Sequence, residues 1–175
     1  MSEFSIVGVE PLPRIGFLSA ECRTIKCPNG QIVDRIAIAH PGAVAVVPVD
    51  GDNIVMIRQY RAALDEWLLE IPAGKRDVPG EDTEVTARRE LYEELGITGC
   101  TLRPGISFVN APGYSDEVID ILVAEHLEFG SGPHPDGPEE EFALIERLPR
   151  SEIAGAIARG DIRDAKSIIG LQLLS

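Results

Sequence analysis

The stretch 84–97, EVTARRELYEELGI, places four glutamates, two arginines and a late glycine within fourteen residues. Successive side chains on a helix turn by about 100°. Ala87, Leu91 and Leu95 then share one apolar face, with Val85 near its edge, and that stripe packs on a neighbouring layer. Glu90 and Glu94 lie one turn apart with Glu93 beside them on an adjoining face. Three like charges there repel one another unless something positive sits between them. Arg89 stands four residues before Glu93, a spacing that lets it pair with that carboxylate and orient it. Asp82 or Thr83 can cap the start after Pro79-Gly80, and Gly96 closes the end of a helix of about thirteen residues.

Carboxylates at i, i+3 and i+4 offer convergent hard oxygens of the kind magnesium or manganese takes together with water and phosphate oxygens. A solvated charged face is the ordinary reading of such a composition, so the flanking sequence has to decide. Upstream, GAVAVVPVD and NIVMIRQYR read as two strands joined by a Gly-Asp-Asn turn, and their Val, Ile and Met content predicts burial on both faces. EWLLEIPAG reads as a further strand, followed by the loop GKRDVPGED. Before these, CRTIKCPNGQIVDRIAIAH reads as a hairpin turning at Pro28-Asn29-Gly30. Downstream, strands surround a Pro112-Gly113 loop, and GSGPHPDGPEEE is the most loop-like segment of the chain. FALIERL reads as a short strand, PRSEIAGAIARGDI as a helix ending at Gly160, and DAKSIIGLQLLS as a final amphipathic helix. The pattern is a mixed sheet with helices packed on it.

The 175 residues fit one globular domain of ordinary composition, 44% apolar and 26% charged. No apolar run reaches the ~18 residues of a membrane span, and the N-terminus lacks the pattern of a signal peptide. Cytoplasmic residence is the expectation. Cys22, Cys27 and Cys100 have no CxxC spacing and read as free thiols, while His40, His126 and His134 form no zinc pattern. A net charge of −13 argues against a nucleic-acid partner. It also opposes a phosphorylated ligand unless cations or arginines reverse the field at the site.

Gly74, Glu81, Arg89-Glu90-Leu91, Glu93-Glu94 and Gly96-Ile97 together closely resemble the box of the Nudix hydrolases. One departure is visible: six residues, not the usual five, separate Gly74 from Glu81, and the extra residue falls in the loop KRDVPG. HPGAVAVVPVD, MIRQYR, EWLLEIPAG, PGYSDE and DAKSIIGL resemble segments of the ADP-ribose pyrophosphatase subgroup. Pro112 falls fifteen residues beyond Ile97, where a proline marks that subgroup.

The resemblance implies an α/β (α+β) fold, a mixed β-sheet sandwiched between α-helices with an N-terminal β-rich extension. It divides the chain into residues 1–40, a strand-rich dimerisation segment, and 41–175, the hydrolase domain. It implies metal ligands Glu90, Glu94 and the Ala73 carbonyl, with Glu93 a further ligand or water-positioning group. Glu81 supports the box loop, and Arg89 aligns the carboxylates. The base comes from the late acidic run, Glu139 first, then Glu141, then Glu140. Arg61, and less directly Arg58, are the implied phosphate contacts. Glu70 either touches the ligand or lines a subunit interface, and Glu117 and Pro112 belong to the substrate or metal shell. Trp67, Tyr60 and Phe17 are the aromatics available to stack on adenine, though each is more often core.

The implied reaction is Mg2+-dependent (Mn2+ being the other option) hydrolysis of ADP-ribose to AMP and ribose 5-phosphate by a homodimer. The alternatives are another nucleoside diphosphate sugar, GDP-mannose or ADP-glucose, and a non-catalytic ADP-ribose sensor.

Overall fold

The computed structural model describes residues 3–14, 16, 18–135 and 140–174. The chain divides into two compact units, Met1–Gly42 with Val109–Val118, and Ala43–Phe108 with Ile119–Ser175. In the first unit, β1 (Ser5–Pro11), β2 (Ser19–Lys26) and β3 (Ile32–Ala39) form an antiparallel sheet in that order. The predicted turn joins β2 to β3, and Gly30 takes the positive φ of 87° that the reversal needs. The Pro112-Gly113 loop belongs to this unit: Ile38 N–H donates to the Tyr114 carbonyl (2.7 Å) and Asp116 N–H to that of Ile38 (3.2 Å).

The second unit is built on β4 (Ala43–Asp50) and β5 (Asn53–Arg61), which leave their Gly51-Asp52 turn as an antiparallel pair. Beyond that turn the two strands take different partners. β6 (Glu66–Glu70) adds to β5, and β7 (Ala73–Lys75) to β4. The single strand predicted for EWLLEIPAG is therefore two, broken at Ile71-Pro72. Proline has no N–H for a ladder, and the Ile71 N–H is taken by the Ser167 hydroxyl at 2.8 Å. The Pro72 carbonyl accepts from Val46 N–H (2.9 Å), so the chain crosses there from one strand to the other.

α1 (Thr83–Leu95) leads into β8 (Ile97–Val109), then β9 (Val118–Phe129) and β10 (Leu144–Pro149), and α2 (Ile153–Arg159) and α3 (Ala165–Gln172) close the chain. The sheet order is β10-β5-β4-β9-β8, and β4 runs parallel to β9. Alternation along β4 divides the core, since successive side chains of a strand point to opposite faces. Val44 and Val46 pack with Ala87, Leu91 and Leu95 of α1. Ala43, Ala45 and Val47 pack with Ala156 and Leu171 of α2 and α3. Both faces are covered, as the unbroken apolar runs require. Among the described residues no helix is long and apolar enough to cross a membrane.

Asp82 is the N-cap of α1, its carboxylate accepting from Glu84 N–H at 2.8 Å. Val85, expected near the apolar face, is exposed instead. It lies about 200° from Ala87 around the helix, and the inner position goes to Thr86. That residue is fully buried, and its hydroxyl donates to Glu81 Oε2 at 2.7 Å. Gly96 ends the helix at φ 67°, and a Cβ there would stand 2.4 Å from the Gly132 backbone. Both a left-handed backbone and a collision oppose any side chain. Gly96→Ala is expected to cost about 2–4 kcal/mol in urea unfolding, and a change under about 0.5 kcal/mol would show that the cap relaxes freely.

Candidate active site

One guanidinium holds the acidic face of α1 together. Arg89 Nη1 donates to Glu90 Oε1 at 2.7 Å and to Glu93 Oε2 at 3.1 Å, and its Nη2 reaches Glu81 Oε2 and the Lys75 carbonyl at 3.5 Å. Burial by itself would lower the pKa of Arg89, but the charges of Glu90 and Glu93 outweigh it and raise the value above the ordinary one. The predicted i,i+4 pair is present, and the same cation also serves the loop carboxylate Glu81. Repulsion across the turn is thus offset by a cation placed among the carboxylates.

Glu90 and Glu94 are nevertheless nearly buried, at 8% and 6% exposure. The loop after β6 makes room for them. Ala73 N–H donates to Glu94 Oε2 at 3.0 Å, which ties the predicted carbonyl donor and the predicted carboxylate ligand to one another. The Glu90 carboxylate lies directly over Gly74: a Cβ on that residue would fall 1.8 Å from the Glu90 carboxyl carbon. The glycine is thus a cradle for the carboxylate, a role that the sequence pattern registers only as a fixed spacing.

These donors are hard oxygens, which suits a divalent ion of the magnesium type. Among the described residues no three His, Cys, Asp or Glu side chains converge into a closed metal cage. The fit to such an ion rests on the oxygens of Glu90 and Glu94, nearly buried and brought beside the Ala73-Gly74 segment.

Arg61 and Glu70 form a second cluster in the same unit. Arg61 Nε and Nη2 donate to the two oxygens of Glu70 at 2.7 and 2.6 Å, and Lys166 Nζ donates to Glu70 Oε2 as well. Glu70 is only 1% exposed. Burial pushes its pKa up, but the hydrogen bond from Arg61 and the charge of Lys166 win and hold it below the ordinary carboxylate value. Hydrogen bonding to Glu70 raises Arg61 in turn, against its own burial, with a smaller contribution from the charge of Glu94. The field of Glu94 therefore reaches this cluster.

Arg58, the other predicted phosphate contact, makes a bidentate pair with Glu146 of β10 at 2.5 and 3.2 Å. Its side chain joins two paired strands, β5 and β10. Tyr60 and Trp67 oppose one another across β5 and β6 with ring centroids 5.9 Å apart and planes tilted by 59°. Both are exposed, contrary to the core position usual for such residues. Phe17 lies outside the described residues.

Pro112 and Glu117 belong to the first unit, where the Glu117 carboxylate accepts from Asn110 Nδ2 at 2.7 Å and stands 3.5 Å from His40 Nδ1. Glu139 lies outside the described residues, and Glu140 and Glu141 begin a short 3-10 turn, Glu140–Phe142. Glu141 is exposed. The preceding loop is fastened to the end of α1: His134 N–H donates to the Glu93 carbonyl at 2.8 Å, and the His134 ring stacks on Tyr92 with centroids 4.4 Å apart. Sequence reasoning assigned nothing to Lys166, Ser167 or Tyr92. The N-cap Asp164 in DAKSIIGL was readable, but the contacts of Lys166 with Glu70 and of the Ser167 hydroxyl with Ile71 span 96 positions and leave no local signal.

The profile of the NUDIX domain matches residues 39–169. The chain is 41% identical over 154 residues to a protein of Bacillus methanolicus named methanol dehydrogenase activator, covering 86% of this chain and 80% of that one. It is 35% identical over 151 residues to the ADP-ribose pyrophosphatase of Bacillus subtilis strain 168, with the same coverage of 86% and 80%. Among solved structures, an ADP compounds hydrolase superposes with a TM-score of 0.86 at 26% identity, covering 98% of this chain and 92% of the other.

Proposed function

This chain belongs to the Nudix family, and from that premise we propose that it hydrolyses the pyrophosphate bond of ADP-ribose to AMP and ribose 5-phosphate. It is a hydrolase acting on pyrophosphate bonds. The observation that carries the reading is the Arg89-bridged face of Glu90 and Glu93, with Glu90 seated on Gly74 and Glu94 held by Ala73 N–H. The names of the relatives, ADP-ribose pyrophosphatase and ADP compounds hydrolase, support the substrate.

A divalent metal, which Nudix hydrolases generally use and for which Mg2+ is our choice over Mn2+, would when bound supply neutralisation of diphosphate charge and acidification of a water. Glu90, Glu94 and the Ala73 carbonyl would hold it, with Glu93 as a further ligand or water-positioning group. Arg89 keeps the carboxylates apart and aligned, and Glu81 anchors Arg89. Arg61 offers a guanidinium to a phosphate oxygen, with Arg58, whose pair with Glu146 joins β5 to β10, the weaker choice by resemblance. A loop carboxylate, Glu139 before Glu141 and Glu140, takes the proton as the water oxygen bonds to phosphorus. The bridging P–O bond breaks and its electron pair leaves with the departing phosphate. Of the aromatics named for adenine, Trp67 and Tyr60 are described and exposed, and Glu117 and Pro112 remain in the proposed substrate shell.

A homodimer built through residues 1–40 is part of the same proposal. Phe4, Ile6, Val9, Ile32 and Ile36 all expose apolar side chains on the first unit, and a monomer in sedimentation at micromolar concentration would remove it. The three cysteines form no disulfide, which suits a reducing cytoplasm.

A panel of ADP-ribose, ADP-glucose and GDP-mannose with Mg2+ tests the substrate. ADP-ribose is expected to have the highest kcat/KM, and a preference for GDP-mannose would overturn the choice. Binding of ADP-ribose without any hydrolysis would make the protein a sensor. Glu139→Gln is expected to lower kcat by about 10²–10³-fold and to flatten the acid limb of the pH profile. The same loss in Glu141→Gln alone would move the base to Glu141.

A further inference from the structure

α3 begins with a set of buried polar contacts that the reaction so far leaves without a task. Lys166 Nζ donates to Glu70 and, at 2.9 Å, to Asp164 Oδ2. Asp164 also caps the helix, accepting from Ser167 N–H at 3.1 Å, and the fully buried Ser167 hydroxyl accepts from Ile71 N–H. The first turn of α3 thus bonds to two consecutive residues, Glu70 and Ile71, just before Ala73 and its bond to Glu94.

Exposure differs along the ion-pair chain. The Lys166 side chain is 12% exposed and that of Glu70 1%, whereas that of Arg61 is 40% exposed. Of the three, the Arg61 side chain is the most exposed. Its Nε and Nη2 are both committed to Glu70, so the planar fork turns its third nitrogen, Nη1, away from that carboxylate. Burying a flexible lysine is costly in side-chain entropy and desolvation, and apolar side chains of similar volume often stabilise a core as well or better. Orientation of the emerging arginine gives this expense a use.

We infer that Lys166 is a positioning residue: through Glu70 it holds Arg61 with Nη1 presented to a phosphate oxygen of the substrate. The inference rests on the proposed reading of Arg61 as the phosphate contact. Lys166 does not touch the ligand. It fixes the carboxylate that fixes the guanidinium, and the shared helix turn sets Arg61 and Ala73 in one register.

Calorimetric binding of ADP, in EDTA and again with Mg2+, tests this on the full chain. Lys166→Met is expected to weaken ADP about tenfold, the order of one charge-assisted hydrogen bond, while Lys166→Arg recovers most of the loss. In an Arg61→Ala/Glu70→Gln background, where Lys166 keeps Asp164 as its partner, adding Lys166→Met should change ADP affinity by less than about twofold. Thermal unfolding of the same proteins separates stability from binding, because a merely structural lysine would weaken ADP equally in both backgrounds. Equal weakening, or undiminished binding by Lys166→Met alone, overturns the inference. Should Lys166→Met not fold, Lys166→Gln carries the same comparison. Hydrolysis of ADP-ribose is scored in parallel, with KM expected to rise more than kcat falls. Hydrolysis without the coupling defeats the role of Lys166 alone, and coupling without hydrolysis defeats the substrate reading alone.

Discussion

A Glu94→Gln protein is expected to keep its fold and to lose about 10³-fold or more in kcat. Glu94 sits at the C-terminal end of α1, nearly buried, with one oxygen accepting from Ala73 N–H. Glutamine retains a carbonyl oxygen for that bond and has almost the same shape, so loop and helix stay joined. What disappears is the negative charge, and with it the attraction for a divalent ion at a position with little water to replace it. Far-UV circular dichroism and thermal unfolding should match the parent, while hydrolysis of ADP-ribose at saturating Mg2+ collapses. Activity within about tenfold of the parent would take Glu94 out of the metal face.

Gly74→Ala tests the same face from the opposite side without touching a charge. Its methyl would fall 1.8 Å from the Glu90 carboxyl carbon and 2.2 Å or less from both oxygens. The carboxylate, the longer and more mobile group, has to move, breaking its 2.7 Å bond to Arg89 or drawing that arginine with it. The collision is expected to cost about 1–3 kcal/mol in stability and about 10²-fold in kcat/KM, since misplacement by an ångström far exceeds what a reacting site tolerates. Raised Mg2+ should restore part of the loss, because the ligand is displaced and not deleted. A Gly74→Ala protein with unchanged kinetics and stability would mean that Glu90 has another seat.

Both expectations show how far the order of residues carries. Periodicity sets Ala87, Leu91 and Leu95 on one side of α1 and the three glutamates on another, and the structure agrees on both. The turns at Gly30, Gly51 and Gly96 were legible because each needs a positive φ that glycine takes without strain. EWLLEIPAG was harder. Its apolar pattern is continuous, and only Pro72 hints that one strand ends and another begins with a new partner. Val85 misled because an apolar residue close to a stripe is not necessarily on it, and a threonine with a hydroxyl partner can take the buried place.

The acidic run after Gly130 was chemically suggestive, but it offers no periodicity from which to place a side chain. Arg58 and Arg61 look alike in RQYR. Their different fates depend on Glu146 and Glu70, residues 88 and 9 positions away: Glu146 lies two positions from Leu144, the cross-strand partner of Arg58, whereas Glu70 stands opposite Ile57, four positions along β5 from Arg61.

The sequence by itself therefore determined the helix, its caps, the apolar core strands and the placing of Glu90, Glu93 and Glu94 beside the apolar stripe, because those depend on neighbours within one or two turns. Tertiary structure decided that Arg89 also reaches Glu81, why residue 74 has no side chain, and which arginine is tied to a buried acid. Those outcomes depend on distances between segments far apart in the chain. The sheet and the first turn of α3 set those distances, and no local pattern encodes them.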